Sequence, residues 1–315
     1  MTGTLRLATR GSPLALCQTE LVAESLRAVH VGLEIEVVVV RTQGDVLSAS
    51  LDQIGGQGIF VTEVETAVAE GRADAAVHSA KDMTSVMVHE LILGAVPRRA
   101  DARDGLVGAR LGDLPPGGLI ATGSARRRAQ LAYLRPDLSF MEVRGNMERR
   151  VSKGEDGSVS AVVVAVAAME RLGWMDRLTD ILDPTDVLPQ AGQGAIAVQC
   201  RRDDAATREL LSAIDDETSH RGLRAERSVL AALGGSCSVP VGAWAHITPG
   251  SSEVLLHGLM ASADGRVVIR MSRTGDDPES LGRQVAHALL IDGGGSSIEG
   301  FEEAALAQSD LVDRP

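Results

Sequence analysis

Short apolar runs alternate with stretches of helical periodicity along the first two thirds of the chain. The apolar runs predict strands at Leu5–Thr9, Ile35–Arg41, Ala73–His78, Leu91–Val96, Gly105–Gly108, Leu119–Thr122, Ser139–Val143 and Ala161–Val166. The periodic stretches predict helices at Pro13–Ala28, Phe60–Glu70, Ala125–Leu134 and Asn146–Lys153. Because strands that are apolar on both faces are typical of a parallel sheet covered by helices, the pattern predicts the α/β class.

Two shifts in composition divide this α/β region. Proline, arginine and aspartate cluster at Pro97–Asp104, and glycine and glutamine cluster at Leu188–Gly194. Both segments have the character of connections, and the apolar run Ala195–Cys200 predicts a strand that returns to the first half. We therefore expect two α/β lobes, residues 1–97 with 194–215 and residues 98–193. A hinged cleft between two such lobes is a favoured place for a ligand.

The pattern changes from Glu217 onward. A long helix over Glu217–Leu233 leads into a loop of small residues, Gly234–Pro240. Three alternating strands and a final helix follow, at Gly242–Ile247, Val254–Ala261, Arg266–Arg273 and Ser280–Leu290. This order predicts a small C-terminal α+β domain over residues 216–315.

The composition disfavours several classes of partner. The formal net charge of the 315-residue chain is −12 and aromatic residues make up 2%, so we expect neither nucleic-acid binding nor attraction to a membrane surface. No apolar run reaches the roughly 18–20 residues of a membrane span, and the N-terminus lacks the apolar core of a signal peptide. Three cysteines without metal-ligand spacing predict a reducing compartment, the cytoplasm, and no metal site.

Arginines recur where predicted strands pass into predicted helices. Arg10 stands at one such junction, Arg126–Arg128 at another and Arg144–Arg150 at a third. A helix N-terminus offers free N–H groups and a partial positive charge, and the guanidinium fork matches carboxylate geometry. Several junctions of this kind predict one pocket for a ligand with many negative groups, whereas solvated helix ends with surface ion pairs would account for any one of them alone.

Two further residues could carry chemistry. Asp82 lies beside Lys81 at the end of a predicted strand, where α/β sheets face their ligands, and its carboxylate could stabilise a cation or shuttle a proton. An ion pair or a helix cap is the alternative for Asp82. Cys237 lies in the loop of small residues without a nearby histidine, so it is better suited to anchoring a group than to cleaving a bond. Cys17 and Cys200 are predicted to lie in cores.

Longer motifs surround these residues in a fixed order. They are Leu5–Ala15, Val77–Asp82, Thr122–Arg127, Val143–Asn146, Arg171–Gly173, Gln193–Ala195 and Gly235–Pro240. Together they resemble the porphobilinogen deaminase family, also called hydroxymethylbilane synthases, from about Leu5 to Arg273. Each motif alone is moderately specific, and their order and spacing make the resemblance highly specific.

The resemblance implies a fold and an activity. Members of the family have two lobes similar to periplasmic anion-binding proteins and a third domain with a cofactor cysteine, which matches Cys237. The cofactor is a dipyrromethane that the enzyme assembles from two porphobilinogen units and holds by a thioether. Four further porphobilinogens are condensed stepwise with loss of ammonia, and hydrolysis releases hydroxymethylbilane. The resemblance also implies a cytoplasmic monomer and hand-over of the product to uroporphyrinogen III synthase.

The resemblance also implies roles for individual residues. Asp82 is the expected catalytic residue, which stabilises the cation left by the loss of ammonia and manages protons. The expected cofactor-binding residues are Ser79, Lys81, Asp82, Thr122, Ser124, Arg126, Arg127, Arg144, Gly145 and, as the covalent anchor, Cys237. The expected substrate-binding residues are Arg10, Ser12, Phe60, Arg150 and Arg171, with Phe60 packing over the pyrrole rings.

The chain departs from the common family pattern at several positions. These are Gln53, Gln57, Thr84, Glu148, Gln199 and Ser236. None of these departures removes a proposed catalytic group. Two alternatives stay open: a two-lobed anion receptor without chemistry, which would need neither Asp82 nor Cys237, and a relative that kept the fold but lost the activity.

Overall fold

The chain folds into two compact units. The computed structural model describes residues 3–41, 61–85, 87–234, 239–248 and 251–301. One unit comprises Met1–Ala100 with Gly194–Arg221, and the other comprises Asp101–Gln193 with Gly222–Pro315. Within these described ranges, no helix is both long enough and apolar enough to cross a membrane.

Strands and helices alternate along most of the described chain. The strands are β1 (Thr4–Arg10), β2 (Glu34–Val40), β3 (Ala75–Ser79), β4 (Leu91–Ala95), β5 (Asp104–Gly108), β6 (Leu119–Ala121), β7 (Ser139–Met141), β8 (Ala161–Ala165), β9 (Asp180–Ile181), β10 (Ile196–Arg201), β11 (Val241–Ile247), β12 (Val254–Ala261) and β13 (Val268–Gly275). The helices are α1 (Pro13–Val29), α2 (Thr62–Ala69), α3 (Ala125–Leu134), α4 (Met147–Glu155), α5 (Val166–Arg171), α6 (Ala205–Ser212), α7 (Glu217–Ala232) and α8 (Pro278–His287).

The first unit contains a sheet in the order β2-β1-β3-β10-β4. Strand β1 pairs in parallel with β2 and β3, and β10 runs antiparallel to β3 and β4. Successive residues of β1 point to opposite faces, so Leu7 packs in a core with Leu26 of α1 while Ala8 packs in a second core with Val64 of α2. Both faces of this sheet are therefore covered.

The second unit contains a sheet in the order β7-β6-β8-β5-β9. Strands β6, β7 and β8 are parallel, and β5 runs antiparallel to β8 and β9. Val163 and Val162 are neighbours on β8 and belong to different apolar clusters. This sheet, too, is buried on both faces.

A smaller antiparallel sheet, β11-β12-β13, also belongs to the second unit. One of its faces packs on α7 and α8 in a core that includes Val229, Leu256 and Val285. A Cβ on Gly258 would lie 2.5 Å from Val285 Cγ1, so glycine is what allows α8 to approach β12 this closely.

The α/β class with a small C-terminal α+β part is confirmed, but the expectation of parallel sheets is wrong. Each large sheet is mixed and contains one reversed strand, β5 in one and β10 in the other. In each case this is the first strand after the chain has passed between the units. A buried antiparallel strand is as apolar on both faces as a parallel one, so the apolar pattern does not encode direction.

Candidate active site

The first group of predicted site residues lies at one edge of the first sheet. Because β1 and β3 are parallel neighbours, Arg10 at the end of β1 and Ser79 at the end of β3 come to the same edge. Ser12 caps α1, and its Oγ accepts a hydrogen bond from the Ala15 amide at 3.3 Å. One pocket is lined by Arg10, Ser12, Gln18, His78, Ser79 and Asp82, among others.

Asp82 lies on an anchored turn. A single turn of 3₁₀ helix, Ala80–Asp82, continues directly from β3. The Ala80 amide donates to the carbonyl of Ala195 at 3.0 Å, and Met83 is buried after the turn. Lys81 is half-buried while Asp82 is exposed beside the pocket. The main chain is therefore fixed and the carboxylate is left accessible to a ligand.

The second group of predicted residues begins where β6 passes into α3. Thr122 is buried, and its Oγ1 accepts a hydrogen bond from the Ser124 amide at 3.2 Å. Ser124 in turn caps α3, and its Oγ accepts from the Arg127 amide at 3.4 Å. A Cβ on Gly123 would lie 2.8 Å from the carbonyl oxygen of Val143, so glycine is needed for this turn to lie against the segment after β7.

Arg126 and Arg127 are buried and share one carboxylate. Asp104 Oδ2 accepts from Arg126 Nη2 at 2.7 Å, and Asp104 Oδ1 accepts from Arg127 Nη2 at 2.6 Å and from Arg127 Nε at 3.0 Å. Gln193 Nε2 donates to the same Oδ1 at 2.8 Å. Arg127 Nη1 also donates to the carbonyl of Val163 at 3.1 Å. We call these four side chains, Asp104, Arg126, Arg127 and Gln193, the Asp104 cluster.

The Asp104 cluster carries a surplus positive charge. Burial alone would raise the pKa of Asp104, but the charges of Arg126 and Arg127 and the hydrogen bonds from Arg127 and Gln193 hold that pKa well below its usual range. Asp104 is therefore ionised at neutral pH. One carboxylate faces two guanidinium groups, so the N-terminal turn of α3 presents a net positive charge in a chain whose overall charge is −12.

The remaining arginines of the second group are more accessible. Arg144 is half-buried and its Nε donates to Glu142 Oε1 at 2.7 Å. Gly145 has φ +110°, in the region that favours glycine, and its carbonyl accepts from Arg150 Nε at 2.9 Å. Arg171 ends α5 and is half-buried. Since an ion pair with an exposed glutamate such as Glu142 is weak, Arg144 could exchange it for a ligand carboxylate.

The structure distributes the predicted site residues over both units. Arg10, Ser12, Ser79, Lys81 and Asp82 lie in the first unit. The second unit holds Thr122, Ser124, Arg126, Arg127, Arg144, Gly145, Arg150 and Arg171. Phe60 and Cys237 lie outside the described residues. Among the residues that are described, no group of three or more His, Cys, Asp or Glu side chains could hold a metal ion.

Sequence reasoning missed Asp104 and the side chain of Gln193. Asp104 opens an apolar strand directly after Arg103, and a carboxylate that is fully buried there needs a cationic partner. A carboxylate at the start of an apolar strand was therefore the feature of the sequence that could have identified Asp104. Gln193 was part of a motif, but nothing in the sequence indicates which groups its amide contacts.

Two family models match the chain. "Porphobilinogen deaminase, dipyromethane cofactor binding domain" matches residues 5–209, and "Porphobilinogen deaminase, C-terminal domain" matches residues 221–291. The chain belongs to the porphobilinogen deaminase family. The resemblance found in the sequence motifs is thereby confirmed, and the matched cofactor domain contains both groups of described site residues.

Several named porphobilinogen deaminases are similar to this chain over nearly its whole length. The protein of Syntrophobacter fumaroxidans is 43% identical and the match covers 92% of this chain and 95% of the relative. The protein of Roseiflexus sp. strain RS-1 is 43% identical, with 95% and 100% covered. The protein of Bacillus subtilis is 37% identical, with 95% and 96% covered. Among solved structures, the methionine binding protein MetQ has a TM-score of 0.40 and 10% identity over 69% of this chain and 92% of its own.

Proposed function

We propose that this member of the porphobilinogen deaminase family is a hydroxymethylbilane synthase, a transferase of tetrapyrrole and heme biosynthesis. It condenses four porphobilinogen molecules head to tail, with loss of ammonia, on a covalently bound dipyrromethane primer and then releases the linear tetrapyrrole by hydrolysis. Family membership supports this reaction. The observation in this chain that carries it is the Asp104 cluster, which offers positive charge to a polyanionic ligand from inside an acidic protein.

Carboxylate binding accounts for the arginines. Every porphobilinogen brings an acetate and a propionate, so each added ring adds two negative charges that must be held. A guanidinium can bind a carboxylate through two parallel hydrogen bonds, and helix N-termini add N–H donors. In this proposal, Arg10, Ser12, Phe60, Arg150 and Arg171 bind the incoming substrate.

The residues present also fit the cofactor. A dipyrromethane carries carboxylates, and the capped N-terminus of α3 combines hydroxyl groups with the surplus charge of the Asp104 cluster. The residues that would hold the cofactor are Ser79, Lys81, Asp82, Thr122, Ser124, Arg126, Arg127, Arg144 and Gly145, with a thioether to Cys237. When bound, the cofactor supplies the nucleophilic pyrrole carbon to which the first substrate is joined.

Asp82 is the proposed catalytic residue. Loss of ammonia from porphobilinogen leaves a cation, and a carboxylate close to that cation stabilises it. The same carboxylate can hold a proton of the pyrrole nitrogen or of the departing amine. The structure of Asp82 suits both tasks. Its main chain is held in the anchored turn, and its carboxylate is exposed and can reach a ligand.

A turnover assay tests the proposal. The purified full-length chain is incubated with porphobilinogen, and ammonia and hydroxymethylbilane are measured together. We expect four ammonia molecules for each hydroxymethylbilane once the primer is in place. Tight binding of porphobilinogen without ammonia release would instead identify an anion receptor or a relative that has lost the activity.

Finer properties are part of the same proposal. We expect a cytoplasmic monomer that binds neither nucleic acid nor membrane and passes its product to uroporphyrinogen III synthase. The division into residues 1–97 with 194–215, 98–193 and 216–315 also stays a prediction. Size-exclusion chromatography with light scattering tests the monomer, and limited proteolysis tests the boundaries.

A further inference from the structure

Arg149 lies among the predicted site residues of the second unit, but the proposed function gives it no role. It stands in the first turn of α4, where its amide donates to Asn146 Oδ1 at 3.0 Å. Its side chain is exposed, and within the ranges that the structure describes its guanidinium group has no hydrogen-bond or ion-pair partner. Arg144, in contrast, donates to Glu142. The guanidinium donors of Arg149 are therefore available to a ligand.

The side chain of Arg149 leans toward the loop that precedes α4. Long side chains on a helix point back toward its N-terminus. A Cβ on Gly145 would lie 2.9 Å from Arg149 Cδ and 3.5 Å from Arg149 Cβ, so the apolar stem of Arg149 lies against Gly145. The carbonyl of Gly145 accepts from Arg150 Nε at 2.9 Å. Arg149 and Arg150 thus both reach back to the residue that follows Arg144.

The acidic residue beside Arg149 in the sequence is paired with a different arginine. Glu148 Oε2 lies 3.3 Å from Arg177 Nη1. Arg177 also donates from Nε and from Nη2 to the two carboxylate oxygens of Glu155, each at 2.7 Å. The departure from the family pattern at Glu148 therefore does not neutralise Arg149.

The stability of α4 does not require an arginine at position 149. A helix N-terminus has a partial positive charge, so acidic residues in the first turn stabilise a helix and basic residues do not. The guanidinium group of Arg149 is exposed and makes no contact that holds α4 to its neighbours. A neutral side chain of similar length would serve the helix at least as well.

We propose that Arg149 is a further substrate-binding residue, which binds carboxylates of the growing pyrrole chain. The primer and each added ring carry two carboxylates, so the negative charge to be held rises with every addition. Arg126 and Arg127 are buried in fixed positions, whereas the exposed Arg149 can stay solvated until the chain reaches it and then bind a carboxylate through its fork of N–H groups. The inference rests on the proposed function and deepens it, because it assigns Arg149 to elongation and not to primer assembly.

Arg149→Gln tests the inference. The full-length variant is first loaded with its primer, then mixed with limiting porphobilinogen, and the intact masses of the covalent complexes are followed over time. We expect primer loading equal to that of the wild type, because Arg149 is not among the proposed primer ligands. The later rings should be added about 3- to 10-fold more slowly, because one charge-assisted contact to a carboxylate is lost. Complexes with one or two added rings should therefore accumulate.

Three further variants separate a local contact from other effects. Lys153→Gln removes the same charge from the last turn of the same helix, and it should elongate like the wild type. Arg149→Lys keeps the charge and should recover most of the elongation rate. Arg149→Met keeps an apolar stem on Gly145 without the charge, so it repeats the test if the glutamine variant is unstable. The melting temperatures of all four should lie within about 2 °C of the wild type.

The contrary results are distinct. A mass distribution like that of the wild type in Arg149→Gln or Arg149→Met overturns the inference. An equal delay in Lys153→Gln also overturns it, because that pattern reports the net charge and not a contact. Loss of primer loading in Arg149→Gln overturns the assignment to the growing chain. A wild-type chain that releases no ammonia refutes the proposed function and this inference with it, whereas an active wild type beside an unaltered Arg149→Gln variant refutes the inference alone.

Discussion

Asp104→Asn is the substitution with the largest expected effect on stability. It replaces the carboxylate that accepts from Arg126 Nη2 at 2.7 Å, from Arg127 Nη2 at 2.6 Å and from Gln193 Nε2 at 2.8 Å. An amide can still accept hydrogen bonds, but it takes from two buried guanidinium groups the negative charge of the carboxylate that they share. Removal of one partner of a buried ion pair costs about 3–5 kcal/mol. At about 2–4 °C per kcal/mol for domains of this size, the melting temperature should fall by roughly 6–20 °C.

Differential scanning calorimetry of the full-length chain measures this effect, and the chain offers a matched control. Asp137 accepts from Arg135 Nε at 2.8 Å and from Arg135 Nη2 at 2.7 Å, but the two side chains are 38% and 26% exposed. Water screens that pair, so the melting temperature of Asp137→Asn should equal that of the wild type. A fall of less than about 2 °C in Asp104→Asn, or an equal fall in Asp137→Asn, would refute the reasoning from burial.

The stability difference between the wild type and Asp104→Asn should depend on pH. The folded pKa of Asp104 lies below the unfolded value of about 3.9, so its contribution to stability is complete above the unfolded pKa and is lost as the pH falls through the folded pKa. The stability difference between wild type and Asp104→Asn should therefore be constant near neutral pH and narrow below about pH 4. A difference that stayed constant under acid conditions would contradict the assignment of the ionised carboxylate.

Three further substitutions test the site. Asp82→Asn should keep its fold and covalent cofactor but lose turnover by about 100-fold or more; near-normal product formation would remove Asp82 from the mechanism. Arg127→Leu should block cofactor assembly or chain elongation because a guanidinium group proposed to bind the cofactor is lost. Intact mass after incubation with porphobilinogen would reveal the block, and normal elongation would refute that role. Gly123→Ala should lower the free energy of unfolding by about 1–3 kcal/mol, because the new Cβ would lie 2.8 Å from the carbonyl oxygen of Val143. An unchanged melting temperature would show that the turn can move to make room for the methyl group.

Helices and strands were predicted well where the sequence combines a periodic pattern of apolar residues with residues that start or end the element. Helix α3 was predicted at Ala125–Leu134 and is observed there, because Ser124 provides a cap and Pro136 follows the last turn. Helix α5 was missed because the residues of Val166–Met169 are all buried and show no amphipathic period. Strand β9 has only two residues, Asp180–Ile181, which is too short for a period of two to register.

The candidate site was predicted only as far as it follows from strand ends and motifs. Ser12, Ser124 and Asp82 lie in motifs that are local in the sequence, and the resemblance carried by those motifs proposed them as site residues. The Asp104 cluster was not, because Asp104 is 22 residues from Arg126 and 89 residues from Gln193 along the chain. Contacts at such separations depend on sheet order and strand direction, and the apolar pattern does not encode the reversal of β5 that begins at Asp104.

Intact mass spectrometry of the purified full-length chain, followed by peptide mapping around Cys237, tests the central claim most directly. If the chain is a hydroxymethylbilane synthase with a covalent cofactor, the peptide that contains Cys237 should show a mass excess of two linked pyrrole units. The excess should be present on purification or appear on incubation with porphobilinogen. A Cys237 peptide that stays unmodified after that incubation would contradict the account and leave a binding protein or an inactive relative.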